Sequence, residues 1–205
     1  METITILPSI AIIIILLVWI YKLKKTVQEL SIAKHQLQYE IEHDVLTGLA
    51  NGTLLIDRLN QSIKNAQRHK KKIAVLYLNL DHFSKVNDSL GTHIGDELLQ
   101  VLSQKLLNNL RQSDTVARIG GDEFIIILDH FEDISFVTLV VEKIMQLSRR
   151  AFIVQGHKIN LTFSIGVSVY PDDNTHSQNL LENASIAMHS IKKTTRDGYK
   201  LYTSN

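Results

Sequence analysis

Two glycines followed by two acidic residues, at positions 120–123, form the segment of this sequence whose residue types are most suited to chemistry. Glycine has no Cβ atom, so the backbone can turn sharply there and a phosphate or a sugar can approach it closely. Runs of β-branched and aromatic residues flank the segment at positions 115–119 and 124–128. This arrangement predicts a tight β-hairpin whose tip carries both acids.

The two acids, Asp122 and Glu123, indicate a site for a divalent metal ion. They come at the start of a predicted strand, and we expect them near the end of the strand that carries Asp81. Mg²⁺ prefers hard carboxylate oxygens and usually binds one or two of them together with substrate phosphates. An exposed hairpin tip with two solvated acids would contain the same residues, so the motif by itself leaves both interpretations open.

The elements that must position this hairpin follow from the periodicity of the apolar residues. The pattern predicts helices around Leu54, Leu55, Leu59, Ile63 and Ala66 and at about residues 94–110, 135–149 and 180–193. It predicts further strands at residues 73–80, 159–170 (one or two strands, interrupted at Gly166) and 199–202, and a polar loop through Asp88 and Gly91. The order is βαββαβ with additions, which is typical of a single α+β domain.

Five separated motifs connect this pattern with a known family. In chain order they read DVLTGLAN at residues 44–51, LDHFSKVNDSLG at 80–91, Gly95-Asp96, ARIGGDEF at 117–124 and ASIAMHSIKK at 184–193. Together they resemble the GGDEF family of diguanylate cyclases over about residues 43–202. The resemblance implies a nucleotidyl-cyclase-like α+β sandwich, with a mainly antiparallel central sheet flanked by helices. It also implies the condensation of two GTP into cyclic di-GMP by a dimer, with release of pyrophosphate.

The resemblance assigns roles to individual residues. Asp122 and Glu123 would be catalytic, and the Mg²⁺ (or Mn²⁺) ligands would be Asn79, Leu80, Asp122 and Glu123. The GTP-binding residues would be Phe83, Ser84, Asn87, Asp96, Lys192 and Arg196. Asn87 and Asp96 would bind the guanine. Lys192 and Arg196, at i and i+4 near the end of the last long helix, would bind the phosphates. Arg111 and Asp114 match an inhibitory site for the product, cyclic di-GMP.

Four positions depart from the family pattern. Asn79 stands where the family usually has the first metal-binding Asp of an Asp-x-Asp pair, whereas Asp81 is retained. The other departures are Ser84 for Lys, Thr92 for His and Gly52 for Arg. An Asn oxygen can bind Mg²⁺ but brings no charge, so these residues lead to two hypotheses. The chain is either an active diguanylate cyclase or a weakly active or inactive domain that serves as a receptor or scaffold for GTP or cyclic di-GMP.

The N-terminal region has a different composition. Residues 3–21 contain no charged side chain, and a helix of roughly 19 residues is about 28 Å long, close to the thickness of a bilayer core. Lys22, Lys24 and Lys25 follow, which predicts a single-pass transmembrane helix in the bacterial inner membrane with the C-terminal domain in the cytoplasm. A buried helix of a soluble domain is the alternative, disfavoured because residues 10–20 lack a polar stripe.

Residues 22–43 show a different apolar spacing. Leu23, Val27, Leu30, Leu37 and Ile41 lie on a 4-3 seam, interrupted by Lys34. This spacing predicts a short parallel coiled coil that forms a homodimer, and a solvated juxtamembrane helix is the alternative. The resulting domain prediction is a transmembrane helix at 3–21, a signalling helix at 22–43 and a GGDEF domain at 44–205.

Composition excludes several other classes. The chain has 205 residues, 22 Lys and Arg against 21 Asp and Glu, and no Cys. A near-zero net charge does not favour binding of a nucleic-acid polymer, and the absence of Cys excludes a disulfide scaffold. The sequence also lacks the glycine-rich phosphate-binding motifs of P-loop and Rossmann proteins.

Overall fold

The computed structural model describes residues 3–203, except for the side chains of residues 3–15 and 35. The chain divides into two compact units at Ile41 and Glu42. The first unit consists of the helix α1 (Thr3–Glu42) as far as Ile41. The second contains α2 (Gly52–His69), β1 (Lys72–Leu80), α3 (Phe83–Leu90), α4 (Thr92–Asn109), β2 (Thr115–Gly120), β3 (Glu123–Phe131), α5 (Ile134–Ser148), β4 (Phe152–Val154), β5 (His157–Ile159), β6 (Phe163–Tyr170), α6 (Ser177–Lys193) and β7 (Gly198–Leu201).

A five-stranded sheet in the order β2-β3-β1-β6-β7 forms the centre of the second unit. Three neighbouring pairs are antiparallel, and only β6 and β7 run parallel. The sheet is therefore mixed but mostly antiparallel, as predicted. Strand β1 lies in its middle and is buried along most of its length, which explains its continuous apolar sequence.

Helices cover both faces of the sheet. Because successive side chains of a strand point to opposite faces, Ala74, Leu76 and Leu78 join one apolar cluster with α4 and α5. Ile73 and Val75 join the other cluster, with α2 and α6. The site described below lies where β1 ends and β3 begins, at one edge of this α+β sandwich.

Capping residues define where two of the helices begin. Asn51 accepts hydrogen bonds from the backbone N–H groups of Thr53 and Leu54 at the start of α2, at 2.9 and 3.2 Å. Asp133 accepts one from Ser135 at the start of α5, at 2.9 Å. Each cap of this kind stabilises its helix by about 1 kcal/mol.

The predicted polar loop after β1 was wrong, because residues 83–90 form the helix α3. Phe83 and Val86 are one helical turn apart, and both are buried against the core, which stabilises the helix despite its polar composition. Gly91 ends it with a φ of 87°. Helix propensity alone does not identify such a short segment, since tertiary packing determines its conformation.

The predicted interruption at Gly166 was also wrong, because β6 continues through it. A Cβ atom at this position would lie 2.0 Å from the carbonyl oxygen of Ala184 and 2.2 Å from the backbone nitrogen of Met188. Gly166 therefore allows the backbone of α6 to lie directly on the strand. The short β4-β5 hairpin, which precedes β6, was not predicted as a separate element.

The N-terminal helix α1 is continuous from Thr3 to Glu42. Among the residues with described side chains, no helix is long and apolar enough to cross a membrane. Most of the predicted transmembrane segment, residues 3–15, lies outside that description. On the described part of α1, the predicted coiled-coil residues Leu23, Val27, Leu30, Leu37 and Ile41 are all exposed in the single chain.

Candidate active site

The hairpin between β2 and β3 has the predicted geometry. Gly120 pairs with Glu123 across the turn, so Gly121 and Asp122 form its tip. Gly120 and Gly121 have φ values of 147° and 49°, which a glycine adopts without strain. Both acids are half-buried. The turn therefore presents two carboxylates, and the two glycines directly before them leave the backbone open to a ligand.

Strand β1 runs beside this hairpin and brings the predicted metal ligands together. Asn79 pairs with Glu123 in the strand register. The backbone N–H of Leu80 donates a hydrogen bond to the carbonyl oxygen of Asp122, at 3.2 Å. All four predicted metal ligands therefore meet at one end of the sheet.

Asn79 has an unusual environment for an amide. The residue is only 2% exposed, and its Oδ1 atom has no hydrogen-bond partner in the structure. A buried polar oxygen without a partner is costly, and a bound cation would satisfy it. Among the described residues there is no group of three or more His, Cys, Asp or Glu side chains that could hold a metal ion. A metal site here would have to combine the two carboxylates with the Asn79 amide and a backbone carbonyl, and such all-oxygen donors suit Mg²⁺.

Asp81 points to a different part of the fold. Its carboxylate accepts hydrogen bonds from the hydroxyls of Thr162 and Ser164, at 2.7 and 2.8 Å, and from the backbone N–H of Asp197, at 3.2 Å. The residue is 2% exposed. Asp81 thus joins the end of β1 to the start of β6 and to the loop after α6, which is a structural role.

Tyr77 contacts the site, although the sequence analysis did not identify it. Its hydroxyl donates a hydrogen bond to Glu123 Oε2, at 2.9 Å. Burial, followed by this hydrogen bond to a carboxylate, raises the pKa of Tyr77 far above its ordinary value. The strand alternation contained the signal, because Tyr77 and Asn79 lie two residues apart and share one face of β1.

The two residues predicted to contact guanine, Asn87 and Asp96, lie on the neighbouring helices α3 and α4. Asn87 has a buried Oδ1 without a partner. Gly95 lies against it, since a Cβ atom there would be 1.9 Å from this Oδ1 and 3.1 Å from Phe83 Cζ. Asp96 follows Gly95 and is exposed, as is Ser84 at the start of α3. The unpartnered amide oxygen and the exposed carboxylate are both acceptors, so they suit a base edge with N–H donors, and the amide nitrogen of Asn87 can donate to an acceptor on the same base.

The two predicted phosphate-binding cations lie at the end of α6, but they are not on one helix as the sequence analysis proposed. Lys192 is in the last turn, whereas the helix ends at Lys193 and Arg196 follows it with a φ of 51°. The backbone N–H of Asp197 is bound by Asp81, so this loop is fixed near the end of β1. The helix ends early because the backbone N–H groups of Thr194 and Arg196 both bond to the carbonyl of Ile191.

The predicted product site is a tight turn before β2. Both carboxylate oxygens of Asp114 accept backbone hydrogen bonds, one from Arg111 at 2.9 Å and one from Asp129 at 3.2 Å. Burial nevertheless raises the pKa of Asp114, and the nearby charge of Asp129 contributes to the increase. The Arg111 guanidinium lies 4.1 Å from the centre of the Phe136 ring. Arg111 and Asp114 also line a cavity of about 490 Å³, together with Arg58.

Arg118 ties the hairpin to the start of the domain, which the sequence analysis also did not predict. Its guanidinium donates to both carboxylate oxygens of Asp44, at 2.9 and 3.0 Å, and to the carbonyl of Gly121, at 2.8 and 3.1 Å. Burial acts to raise the pKa of Asp44, but hydrogen bonds from Thr47 and Arg118 outweigh it and hold the pKa below its usual value. No local pattern relates residues 74 positions apart.

Comparison with known proteins agrees with this geometry. The chain matches the family described as "Diguanylate cyclase, GGDEF domain" over residues 41–198. It is 39% identical over 163 residues to the bifunctional diguanylate cyclase/cyclic di-GMP phosphodiesterase MucR of Pseudomonas aeruginosa, covering 80% of this chain and 24% of that protein. It is 30% identical over 170 residues to the diguanylate cyclase TpbB of the same species, covering 82% and 39%. The chain thus spans well under half the length of these relatives.

Solved structures support the fold. The isolated GGDEF domain of TpbB from Pseudomonas aeruginosa superimposes with a TM-score of 0.77 at 30% identity, covering 78% of this chain and 94% of that one. A coiled-coil and GGDEF structure of DgcB from Caulobacter crescentus, solved in complex with cyclic di-GMP, gives a TM-score of 0.79 at 24% identity. It covers 89% of this chain and 96% of that one, and at this identity the likeness bears on the fold alone.

Proposed function

Since this chain belongs to the GGDEF domain family of diguanylate cyclases, we propose that it condenses two GTP into cyclic di-GMP and releases pyrophosphate. The observation that carries the proposal is the hairpin, in which Asp122 and Glu123 are both present and β1 lies beside them with the unpartnered Asn79 oxygen. Phosphoryl transfer of this type depends on positioning and on charge neutralisation. At this edge of the sheet, the carboxylates and the Asn79 oxygen are groups that can position a substrate and hold a cation that neutralises charge.

In this proposal, Asp122 accepts the proton of the ribose 3′-hydroxyl that attacks the α-phosphate. Its position at the tip of an exposed turn allows a substrate to approach from outside the domain. Asn79, Leu80 and the two carboxylates would hold Mg²⁺ or Mn²⁺, and the bound ion would neutralise charge on the phosphate oxygens. The resemblance to the family implies that each domain holds one GTP and that a second domain faces the first to close the ring of cyclic di-GMP. The proposal therefore includes a homodimer.

The nucleotide is held by residues from α3, α4 and α6 and from the loop that follows α6. Asn87 and Asp96 bind the guanine edge, with Phe83 and Gly95 closing the back of the pocket. Lys192 and Arg196 bind the phosphates, and the exposed Ser84 lies at the start of α3, where backbone N–H groups favour an anion. The Arg111–Asp114 turn binds cyclic di-GMP as an inhibitor, through the guanidinium and the adjoining cavity.

The residue Asn79 supports a second candidate function. A unit charge at about 4 Å is worth at most about 4 kcal/mol at an effective dielectric constant of about 20, so replacing Asp by Asn weakens metal binding strongly. A domain that binds GTP or cyclic di-GMP with little or no turnover, and signals as a receptor or scaffold, would tolerate this loss. The intact hairpin favours the enzyme.

We further propose that the N-terminal segment anchors the chain in the bacterial inner membrane and that residues 22–43 pair with a second copy. The apolar side chains of the predicted seam are exposed, with Val27 at 60% and Leu30 at 70%. Fractionation of cells that produce the whole chain tests the anchor. Recovery of the chain in the supernatant after ultracentrifugation, without detergent, would contradict it.

The decisive experiment is chromatographic detection of cyclic di-GMP after the chain is incubated with GTP and Mg²⁺ or Mn²⁺. We expect slow product formation, and at least a tenfold increase in the Asn79→Asp variant at limiting Mg²⁺ because the added charge strengthens metal binding. Asp122→Asn is the matched control, since it removes a carboxylate from the same site and should abolish turnover. If both the natural chain and Asn79→Asp bind GTP without making product, the receptor function replaces the enzyme.

A further inference from the structure

Tyr77 on β1 contacts the proposed catalytic hairpin, although it is not part of any assigned motif. Its ring is half-buried and packs against the apolar cluster between the sheet and α2 and α6. In the strand register it lies between Ile125 of β3 and Gly166 of β6. Gly166 has no side chain, and the backbone of α6 at Ala184 and Met188 occupies the space above it.

We propose that Tyr77 is a positioning residue that fixes the carboxylate of Glu123 for metal binding. The hydroxyl donates to Oε2 at 2.9 Å, which leaves the other carboxylate oxygen available to a cation. Glu123 pairs with Asn79 in the register, so the oriented carboxylate is carried beside the unpartnered Asn79 oxygen. The inference rests on the proposed function of this site.

The contribution of Tyr77 follows from the flexibility of glutamate. A Glu side chain has several rotatable bonds and loses entropy when it is held for a ligand. A donor on a rigid aromatic ring holds the carboxylate in place before the ligand arrives, and hydrogen bonds to charged groups are among the stronger ones. Asn79 brings no charge to this site. Metal binding therefore depends more heavily on the orientation of the carboxylates of Asp122 and Glu123.

The test compares Tyr77→Phe with Tyr170→Phe. Tyr170 is also a buried sheet tyrosine, but it pairs with Ile73 at the opposite end of β1 and serves as the control. We measure turnover as a function of Mg²⁺ and, without turnover, Mn²⁺-dependent binding of a slowly reacting α-thio analogue of GTP by calorimetry. Tyr77→Phe should raise the half-saturating metal concentration about fivefold to tenfold, with KM for GTP at saturating metal changed less than about twofold. Tyr170→Phe should leave both unchanged.

A double-mutant cycle separates positioning from general destabilisation. In the Glu123→Gln background, Tyr77→Phe should change metal-dependent analogue binding less than about twofold, because the interaction has already been removed. An equal effect of Tyr77→Phe in both backgrounds, or equal behaviour of Tyr77→Phe and Tyr170→Phe, would overturn the inference. If the natural chain binds the analogue with metal but makes no product, the proposed catalysis fails and the binding cycle still decides the role of Tyr77. Absence of metal-dependent binding in the natural chain would overturn both.

Discussion

Gly95 is the residue on which the proposed guanine pocket depends most directly. Its missing side chain leaves the space that the amide oxygen of Asn87 occupies, since a Cβ atom would come within 1.9 Å of that oxygen. Asn87 belongs to α3 and Gly95 to α4. The residue that follows each of them is exposed, so a base can enter from the solvent. A small residue on one helix thus allows a recognition group on its neighbour to be buried and still lack a protein partner.

Replacing Gly95 with Ala should therefore displace Asn87 and weaken binding of GTP by about tenfold or more, because a hydrogen bond to the base is lost. Calorimetry with the α-thio analogue measures the change. Gly52→Ala is the control, since a Cβ atom at Gly52 meets nothing within 4 Å and Ala favours the helix. Unchanged analogue affinity in a folded Gly95→Ala variant would remove Asn87 from the guanine site.

At the scale of elements, Arg118 connects the hairpin between β2 and β3 to the turn that opens the domain. Its side chain is 11% exposed, and it links β2 both to Asp44 and to the carbonyl of Gly121. The backbone N–H of Arg118 also donates to the carbonyl of Ala50, at 2.9 Å. The position of the hairpin therefore depends on residues that directly follow the end of α1.

Arg118→Ala should lower the free energy of unfolding by about 1–3 kcal/mol at pH 7, because the half-buried Asp44 loses its charged partner. The folded state lowers the pKa of Asp44, so this carboxylate stabilises the fold above its unfolded pKa, and the contribution is lost as the pH falls through the lowered value. Urea unfolding at several pH values measures the difference. The gap between the natural chain and the variant should shrink on acidification from pH 7 to about 3, and a constant gap would contradict the role of Asp44.

The packing of α6 on β6 is a second feature at this scale. Gly166 lets the helix backbone lie on the strand, and α6 in turn carries Lys192 in its last turn. A side chain at Gly166 would push the helix away from the sheet and move its cationic end.

Gly166→Ala should destabilise the domain by about 3 kcal/mol or more, since a Cβ atom would meet backbone atoms that cannot turn aside. For a domain of this size, a loss of that magnitude corresponds to a decrease of about 10 °C in Tm. Thermal unfolding followed by circular dichroism measures it. A decrease of less than about 2 °C would mean that α6 is free to shift on the sheet.

At the scale of the whole molecule, the proposed reaction needs two domains, and α1 provides a means of bringing them together. Its exposed apolar seam would pair two chains and raise the effective concentration of one domain near the other to the millimolar range.

A chain that begins at residue 44 should therefore lose activity on dilution far sooner than one that begins at residue 22. We expect the specific activity of the shorter form to fall roughly in proportion to its concentration in the nanomolar range, because dimer formation then limits the rate. A dilution series of both forms, with sedimentation to follow their mass, measures this. Identical dilution curves would exclude a role for residues 22–43 in dimerisation.

The sequence by itself predicted most of the elements and a candidate site. Alternating and helical periodicities predicted the hairpin, the central strand β1 and the long helices, because their side chains lie on faces that are regularly buried. The resemblance to the GGDEF family assigned Asp122, Glu123, Asn79 and Leu80 to one predicted site, and the strand register brings these residues together. Helix α3 was not predicted, because its buried apolar residues Phe83 and Val86 stabilise it rather than the helix propensity of its sequence.

Only the tertiary structure decided which of these side chains are partnered. Asp81 and Asn79 look alike in sequence as members of one motif, yet Asp81 is bound by three donors and the Asn79 oxygen by none. Tyr77 binds Glu123, which is 46 positions away in the sequence. Arg118 binds Asp44, which is 74 positions away. Such pairings depend on strand order and on the direction of each side chain. Strand order and side-chain direction follow from the burial of the whole sheet, and a local sequence pattern does not contain this information.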